Sequence, residues 1–389
     1  MTNWKKLFDS YVELRDEQAC QKIPAKPGVV LITDESQIPI QMITAASMRA
    51  RLLARLAEPV DPDSQKITRR ANLSEIARLV FYTQTSSAFE TDLAYLKLAP
   101  QIWPARYSKI IKTKPPWFVE LDLQNAHPHF RRVRKLLQNS LSVGPFATAG
   151  DCEKFIDALA DSFDLCRNLS CLKRYPNSKG CAYAEMHRCV NICAGAISME
   201  RYRELLRDAF NFAAGDRESF KSDLEARMKK SAADLNFELA GALKSRIDRL
   251  KFFEQENFRF VNSADEFKYI FVQPGAGKRE FRAFAAKPGR AEFIGKFDWP
   301  DSSKCEKLLK SASDFFTSKA STDNFKSSIG QLQNGLVCEY LFSGDSKRGL
   351  LFHWQNNLTS AELYDAVFAN RELLKLSMVE PKKNSSKSE

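Results

Sequence analysis

Residues 163–199 read FDLCRNLSCLKRYPNSKGCAYAEMHRCVNICAGAISM, and the spacing of sulfur in this stretch organises the reading of the rest. It holds five of the nine cysteines, and Cys166, Cys181, Cys189 and Cys193 are separated by fourteen, seven and three residues. Thiolates gather like this when they hold a metal centre or build a disulfide framework. A disulfide framework does not suit a chain of 389 residues with an odd cysteine over and no apolar leader at its start. Zinc sites present paired C-x2-4-C knuckles on both sides, and no such pairing occurs here. Four thiolates on irregular spacing, closed by a C-x3-C, suit a cubane iron–sulfur cluster better. The alternative is that these cysteines pack as small hydrophobes.

Working outward, 44% hydrophobic and 28% charged residues describe an ordinary soluble protein, long enough for two or three domains with real cores. A net charge of +11 suits a polyanionic partner, of which nucleic acid is the simplest. No run of about 18 apolar residues occurs, so no membrane span is expected. The start, MTNWKKLFDSYVELRD, has an early acidic residue and no apolar core, which argues against a signal peptide and for a reducing, cytoplasmic setting.

The block GCAYAEMHRCVNICAGAIS at 180–198 resembles the cysteine-rich segment of the bacterial excision-repair nuclease family UvrC, approximately PC-x7-RC-x3-C followed by a helix opening with I-S. The preceding GPFATAGDCEKFIDALADSFDLCR at 144–167 is similar to that family's GP-[YF]-x-x-A block and its helix. The resemblance implies a [4Fe–4S] cluster with Cys166, Cys181, Cys189 and Cys193 as ligands. Cys171 has no counterpart in the pattern and competes with Cys166 as first ligand. His187 within the block reads as a neighbour of the ligands or a phosphate contact.

At the N-terminus, Trp4, Leu7, Phe8, Tyr11 and Leu14 recur at helical spacing, which predicts a short helix over 1–22. Strands over 28–33 and 39–43 and a helix over 47–57 follow, an order that resembles the opening of the GIY-YIG nuclease domain found in the same family. Helices over 72–82 and 87–98 complete the expected domain. The resemblance aligns the nuclease positions on Val30, Gln41, Arg51 and Tyr95. Phosphodiester hydrolysis needs an activated water, a carboxylate-held divalent metal and a cation on the developing charge. Val30 offers no hydroxyl, Gln41 accepts no proton usefully, and Tyr95 is a poor ligand for Mg²⁺. Only Arg51 remains, and the nuclease chemistry reads as lost. Asp92, about one turn before Tyr95, is the carboxylate that a shifted site would use, and Mg²⁺ is called for only then.

Residues 105–149 read as a basic connector that contacts DNA through Arg131, Arg132, Arg134 and Lys135, beside Trp117 and Phe130. His127 and His129 lack thiolate or carboxylate partners in sequence and read as surface groups. Ser198 is placed to cap a helix that Gly215 stops, and 217–256 follows as an antiparallel helical hairpin. The hairpin resembles the UVR motif, with Lys244 and Ser245 in place of its Arg-Asp. The resemblance implies contact with the excinuclease protein UvrB through Leu235, Phe237, Glu238, Ala240 and Ile247. Beyond it, strands over 258–261, 267–273, 280–286, 291–297 and 350–354 and helices over 304–318, 324–343 and 360–376 predict a small α+β domain.

The expectation is therefore an α+β multidomain protein, divided as 1–22 helix, 23–104 GIY-YIG-like domain, 105–149 connector, 150–216 cysteine segment, 217–256 hairpin, 257–379 α+β domain and 380–389 disordered tail. The function implied by the resemblance is a non-catalytic or regulatory, DNA-associated part of nucleotide excision repair. An active structure-specific endonuclease and a pure protein-interaction module are the alternatives.

Overall fold

A computed structural model describes residues 4–15, 17–57, 73–135, 141–298, 301, 303–318, 327–354 and 358–376. The tail over 380–389 and the start of the helix expected over 324–343 lie outside the described residues. The strands are β1 Ser10–Glu13, β2 Gly28–Thr33, β3 Pro39–Ala45, β4 Leu79–Gln84, β5 Trp117–Leu121, β6 Phe130–Val133, β7 Leu141–Phe146, β8 Asn262–Ser263, β9 Tyr269–Pro274, β10 Glu280–Lys287, β11 Arg290–Asp298 and β12 Leu350–His353. The helices of eight residues or more are α1 Met48–Leu56, α2 Ala88–Ile102, α3 Ala149–Ser162, α4 Met199–Ala213, α5 Arg217–Ala233, α6 Phe237–Leu250, α7 Ser303–Thr317, α8 Ser328–Leu341 and α9 Ser360–Ala369. Three antiparallel sheets with helices packed on them make this an α+β protein.

The chain folds into two compact units that are not consecutive in sequence. The first holds residues 1–113, 269–320 and 343–389, and the second holds 114–268 and 321–342.

In the first unit, one sheet has the order β1-β4-β2-β3 and the other β11-β10-β9-β12. Strand β2, GVVLIT, is buried along its whole length between β4 and β3. Its first residue must be glycine, because a side chain at Gly28 would collide with the Thr83 carbonyl and the Met48 thioether. Ser47 caps α1 by accepting the amide of Ala50, and Met48 and Leu52 fill the core with Val30, Ile32, Ile43 and Val80. Helix α2 opens on the Ser87 cap and buries Phe89, Thr91, Leu93, Leu96, Leu98, Ala99 and Ile102. Such all-round burial marks a helix enclosed by protein. It packs on β2 and β3 and also meets the second sheet, where Phe89 stacks on Phe271 at 4.8 Å and meets Phe284 edge-on at 5.2 Å. Arg282 of β10 pairs with Glu90 at 3.0 Å and donates to Ser86 at 2.9 Å.

In the second unit the sheet has the order β6-β5-β7-β8, with α3 packed on β5, β6 and β7. Thr148 caps α3 by accepting the amide of Asp151, and α3 buries Cys152, Phe155 and Leu159 on one stripe. The hairpin of α5 and α6 lies along α3 at its base, where Leu224, Leu243, Ile247 and Leu250 join the same core. Helix α8 belongs here too, with Phe342 at its end meeting Phe260 edge-on at 5.5 Å.

Four expectations change. Residues 1–22 do not form one helix. They make a turn at Trp4–Lys6, strand β1 and a second turn at Glu17–Lys22, because β1 satisfies its backbone by pairing with β4 from Ser10↔Tyr82 to Glu13↔Leu79. Trp4 is instead anchored by its indole N–H to the Gln37 carbonyl at 2.8 Å. Of the helix expected over 72–82, the described residues form none: 73–78 are turn and coil, and 79–82 open strand β4, held between β1 and β2. Residues 105–149 are not a connector, since β5, β6 and β7 form the second unit's sheet. Residues 258–261 end a 3₁₀ turn, Glu256–Phe258, and form no strand.

Phe89 is fully buried between two sheets of the first unit. Phe89→Ala is expected to lower stability by about 3–5 kcal/mol, read by equilibrium urea unfolding.

Candidate functional site

The backbone of the cysteine segment is turn-dense. Its regular pieces are the short turns Leu169–Leu172, Ala182–Glu185 and Ile192–Ala194. Left-handed conformations at Asp164, Gly180, His187, Asn191 and Gly195 fold the chain back repeatedly. Backbone bonds lace the folds together, from Val190 N–H to the Asp164 carbonyl at 2.9 Å and from Ser178 N–H to the Cys193 carbonyl at 3.1 Å.

This folding makes neighbours of the four spaced cysteines. Burial pushes the Cys166 thiol up to about 12, and the thiols of Cys193, Cys189 and Cys181 push it the same way. Burial likewise raises Cys189, with Cys181 and Cys193 adding to it. Two of these thiols have a local acceptor: Cys166 Sγ donates to the Asn168 carbonyl at 3.5 Å and Cys193 Sγ to Asn191 Oδ1 at 3.8 Å. Cys171 differs. Removal from water opposes its ionisation, but hydrogen bonds from Arg174, Ser178 and Cys181 together hold it below the usual thiol range. Its Sγ receives the Arg174 guanidinium at 3.5 Å and donates to the Gly180 carbonyl at 3.7 Å.

Cations stand around the thiols. Arg167 and Arg188 share the carboxylate of Asp161, and Arg167 lies over the Tyr183 ring. Tyr202 of α4 is fully buried, and its hydroxyl accepts the Cys166 N–H at 3.2 Å. Sequence reasoning passed over Tyr202; the available signal was its place one turn after the Ser198 cap, on the helix that follows the last cysteine. A cavity of about 100 Å³ opens beside Cys166 and Tyr202, with His129 and Arg167 on its wall. An all-sulfur donor set with nearby cations suits a soft, anionic thiolate-bound centre and not a hard cation. Among the described residues no three His, Cys, Asp or Glu side chains form a metal-holding group as they stand, so the thiols are neighbours and not a closed cage. His187 is exposed, and His129 Nδ1 pairs with the His127 carbonyl at 2.9 Å.

The positions aligned with the nuclease lie on β2, β3, α1 and α2 of the first unit. Val30 is fully buried in the core under α1, paired across β2 and β3 with Ile43. Gln41 accepts from Arg55 Nε at 2.7 Å, and Arg51 is exposed on α1. Tyr95 and Asp92 lie on α2, which adds no residue to that core. Burial raises the Tyr95 phenol further above its ordinary value. Asp92 lines a cavity of about 190 Å³ with Pro27, Thr44 and Thr91.

The basic residues of the second unit divide by partner. Arg131 pairs with Glu120, which is fully buried, at 2.7 Å. Arg132 pairs with Glu153 at 2.6 Å. Arg134 stacks 4.2 Å over Trp117 and donates to the Pro115 carbonyl. Arg134 and Lys135 have no acidic partner among the described residues; Lys135 is exposed and Arg134 half-buried.

At the hairpin turn, Leu235 takes a left-handed conformation, and Leu235, Phe237 and Leu239 are 73%, 69% and 45% exposed. Glu238 is exposed and Ala240 half-buried beside them. Ile247 is not available to a partner, because it is buried in the unit's own core.

Residues 117–212, which hold the turn-rich thiol segment between α3 and α4, match the family model described as UvrC/Cho excinuclease, middle domain. The chain is similar in particular to UvrABC system protein C. It is 26% identical to that of Moorella thermoacetica over 235 residues, covering 59% of this chain and 37% of the relative. It is 27% identical to that of Ruegeria sp. over 230 residues, with 59% and 35% covered. For Acetivibrio thermocellus the figures are 24% over 266 residues, 67% and 40%. The resemblance read from the cysteine block thus stands, while the chain spans two fifths or less of the length of these relatives. No solved structure matches. No described helix is long and apolar enough to cross a membrane.

Arg131→Ala is expected to cost about 1–3 kcal/mol, because it removes the guanidinium that pairs with the buried Glu120 carboxylate. Adding Glu120→Leu should restore most of that loss, and a double-mutant cycle by chemical denaturation checks the coupling.

Proposed function

We propose that this protein is a UvrC-like component of nucleotide excision repair that binds DNA, carries a [4Fe–4S] cluster, docks on UvrB and does not itself incise. The observation that carries this reading is the middle-domain match over residues 117–212, which contains all four spaced cysteines.

Cys166, Cys181, Cys189 and Cys193 would hold the cluster, which when bound supplies a rigid cross-link and a redox-active centre. The guanidinium groups of Arg167, Arg174 and Arg188 would offset its negative charge. A cluster tying four points of a turn-rich segment would stabilise a stretch that has few regular hydrogen bonds of its own.

Among the described residues, the positions aligned with the nuclease would not supply the donors that incision needs. Val30 contributes packing where a hydroxyl would be needed, Gln41 is engaged with Arg55, and Tyr95 stays protonated at neutral pH. On damaged duplex with Mg²⁺ or Mn²⁺, no nicking above background is expected, with or without UvrA and UvrB. Nicking that Asp92→Asn abolishes would overturn the non-catalytic part of the proposal.

DNA contact is assigned to Arg134 and Lys135, with Arg51 as a separate contributor, and Arg131 is set aside because its charge neutralises Glu120. The logarithm of affinity should fall linearly with the logarithm of salt concentration. Arg134→Glu with Lys135→Glu should reduce that slope by about 1 per residue, measured by fluorescence anisotropy. An unchanged slope would move DNA contact elsewhere, and absence of binding would favour the pure interaction module.

The hairpin tip is the docking element for UvrB. Phe237→Asp would bury an unpaired charge in that interface and should weaken binding about tenfold or more in a pull-down or calorimetric titration, without lowering the stability of the free protein.

A further inference from the structure

We infer that the α5–α6 hairpin is a releasable latch on the thiol segment, with Arg246 weakening its seat enough for it to open while the rest of the second unit stays folded. The inference needs neither the cluster nor the partner proposed above. Three observations carry it. At the root of the hairpin, Arg217 opens α5 and donates to the Phe253 carbonyl at 3.1 Å and the Val261 carbonyl at 2.9 Å. Further along, the contact with the thiol segment is a cation on rings. The Arg246 guanidinium of α6 lies 5.1 Å over Phe163, which opens the segment, and 5.5 Å over Phe220 of α5. Its Nε is closed off from water without a hydrogen-bond partner, and Asp164 favours its charge from a distance without pairing with it. At the far end, Leu235 and Phe237 are exposed and take no part in the unit's core.

The balance at Arg246 sets the behaviour of the seat. A shut-away guanidinium N–H with no acceptor costs about as much as a cation–ring contact returns, or more. Leu243, Ile247 and Leu250 seat α6 in the core, and Arg246 subtracts from that seat. Opening is passed on to the thiols through the residue after Phe163, because the Asp164 carbonyl accepts the Val190 N–H at 2.9 Å, between Cys189 and Cys193. The hairpin is thus pinned at its root, loosely held at its middle and open to a partner at its tip, so that a pull on the tip reaches the thiol segment.

The test is hydrogen–deuterium exchange of the full chain, read by mass spectrometry on peptides from α3, α6 and residues 163–190. In wild type, α6 and 163–190 are expected to exchange together and at least about tenfold faster than α3, whose exchange reports unfolding of the whole unit. One common rate for all three overturns the inference, since the hairpin then opens only with the unit. Arg246→Met keeps a long side chain on the rings and removes the unmatched donor. It is expected to slow exchange of α6 and of 163–190 about tenfold. A guanidinium that strengthened the seat would give the opposite sign, so unchanged or faster exchange in Arg246→Met overturns the inference. Where Arg246→Met fails to fold, the wild-type comparison decides alone: joint exchange ahead of α3 supports the latch, and a common rate overturns it.

Discussion

The second unit depends on the packing of Phe163, the residue that opens the cysteine segment. Its ring lies 5.6 Å from Phe212 of α4 and 4.9 Å from Phe220 of α5, and the guanidinium of Arg246 on α6 covers it at 5.1 Å. Burial lowers the Arg246 guanidinium below its ordinary range, and it also stacks on Phe220. Aromatic pairs of this kind contribute about 0.5–1.5 kcal/mol each beyond the area they bury. A second group centres on Phe155, edge-on to Phe146, Phe253 and Phe258 at 5.0, 5.0 and 5.2 Å. Four sequence-distant elements therefore meet on one aromatic floor. The thiol segment and the base of the hairpin rest on it together, so neither can shift without the other. The hairpin tip lies beyond that floor, which is how a single element is both docked on its own chain and apolar at its exposed end.

The first unit follows a different constraint. Burying α2 against two sheets requires its polar side chains to be matched, and the Glu90 and Arg282 pair does this at the second sheet. Burial pushes the Glu90 carboxyl up, while the Ser86 amide and the Arg282 guanidinium pull it back toward the charged form. A buried pair adds little net stability but is costly to break, so it fixes the seat of α2. Packing on the other face of the first sheet is set by β2 and β3. Val30 extends the apolar core below α1, and Gln41 gives Arg55 a partner.

Much of this was legible in sequence wherever the signal is local. Pro27-Gly28 with its apolar run marked β2, Ser47 and Ser87 marked the starts of α1 and α2, and Ser198 and Gly215 bounded α4. What escaped was non-local. Residues 79–84 read LVFYTQ, and with Val80 and Phe81 fully buried on opposite faces the run shows no alternation that would separate a strand from a helix. Trp4, Phe8 and Tyr11 fit a helical stripe equally well as the turn and strand that β4 recruits from seventy residues away. The basic run of β6 hid the fact that Arg131 answers Glu120 on the neighbouring strand. The spacing of the thiols was visible, but the hydroxyl that accepts the Cys166 N–H was not, because Tyr202 reads as an ordinary core aromatic.

The excess of positive charge can be divided in the same way. Arg131, Arg203, Arg217 and Lys287 direct their charge inward, to Glu120 or to backbone carbonyls, and hold strands, loops and helix ends in place. Lys287 shows the principle clearly: burial lowers its pKa, yet three acceptors at the end of α7 keep its ammonium matched. Such groups contribute to the long-range field but cannot meet a phosphate without releasing an internal partner. Surface affinity for a polyanion therefore depends on the smaller set that faces solvent without an acid beside it. Lys135 belongs to that set, while half-buried Arg134 keeps one nitrogen on the Pro115 carbonyl and is oriented by the Trp117 ring beneath it, so only the rest of its guanidinium is left for a phosphate. Trp117 also opens the matched middle domain, which places a preoriented cation at the first strand of the sheet that supports the thiol segment.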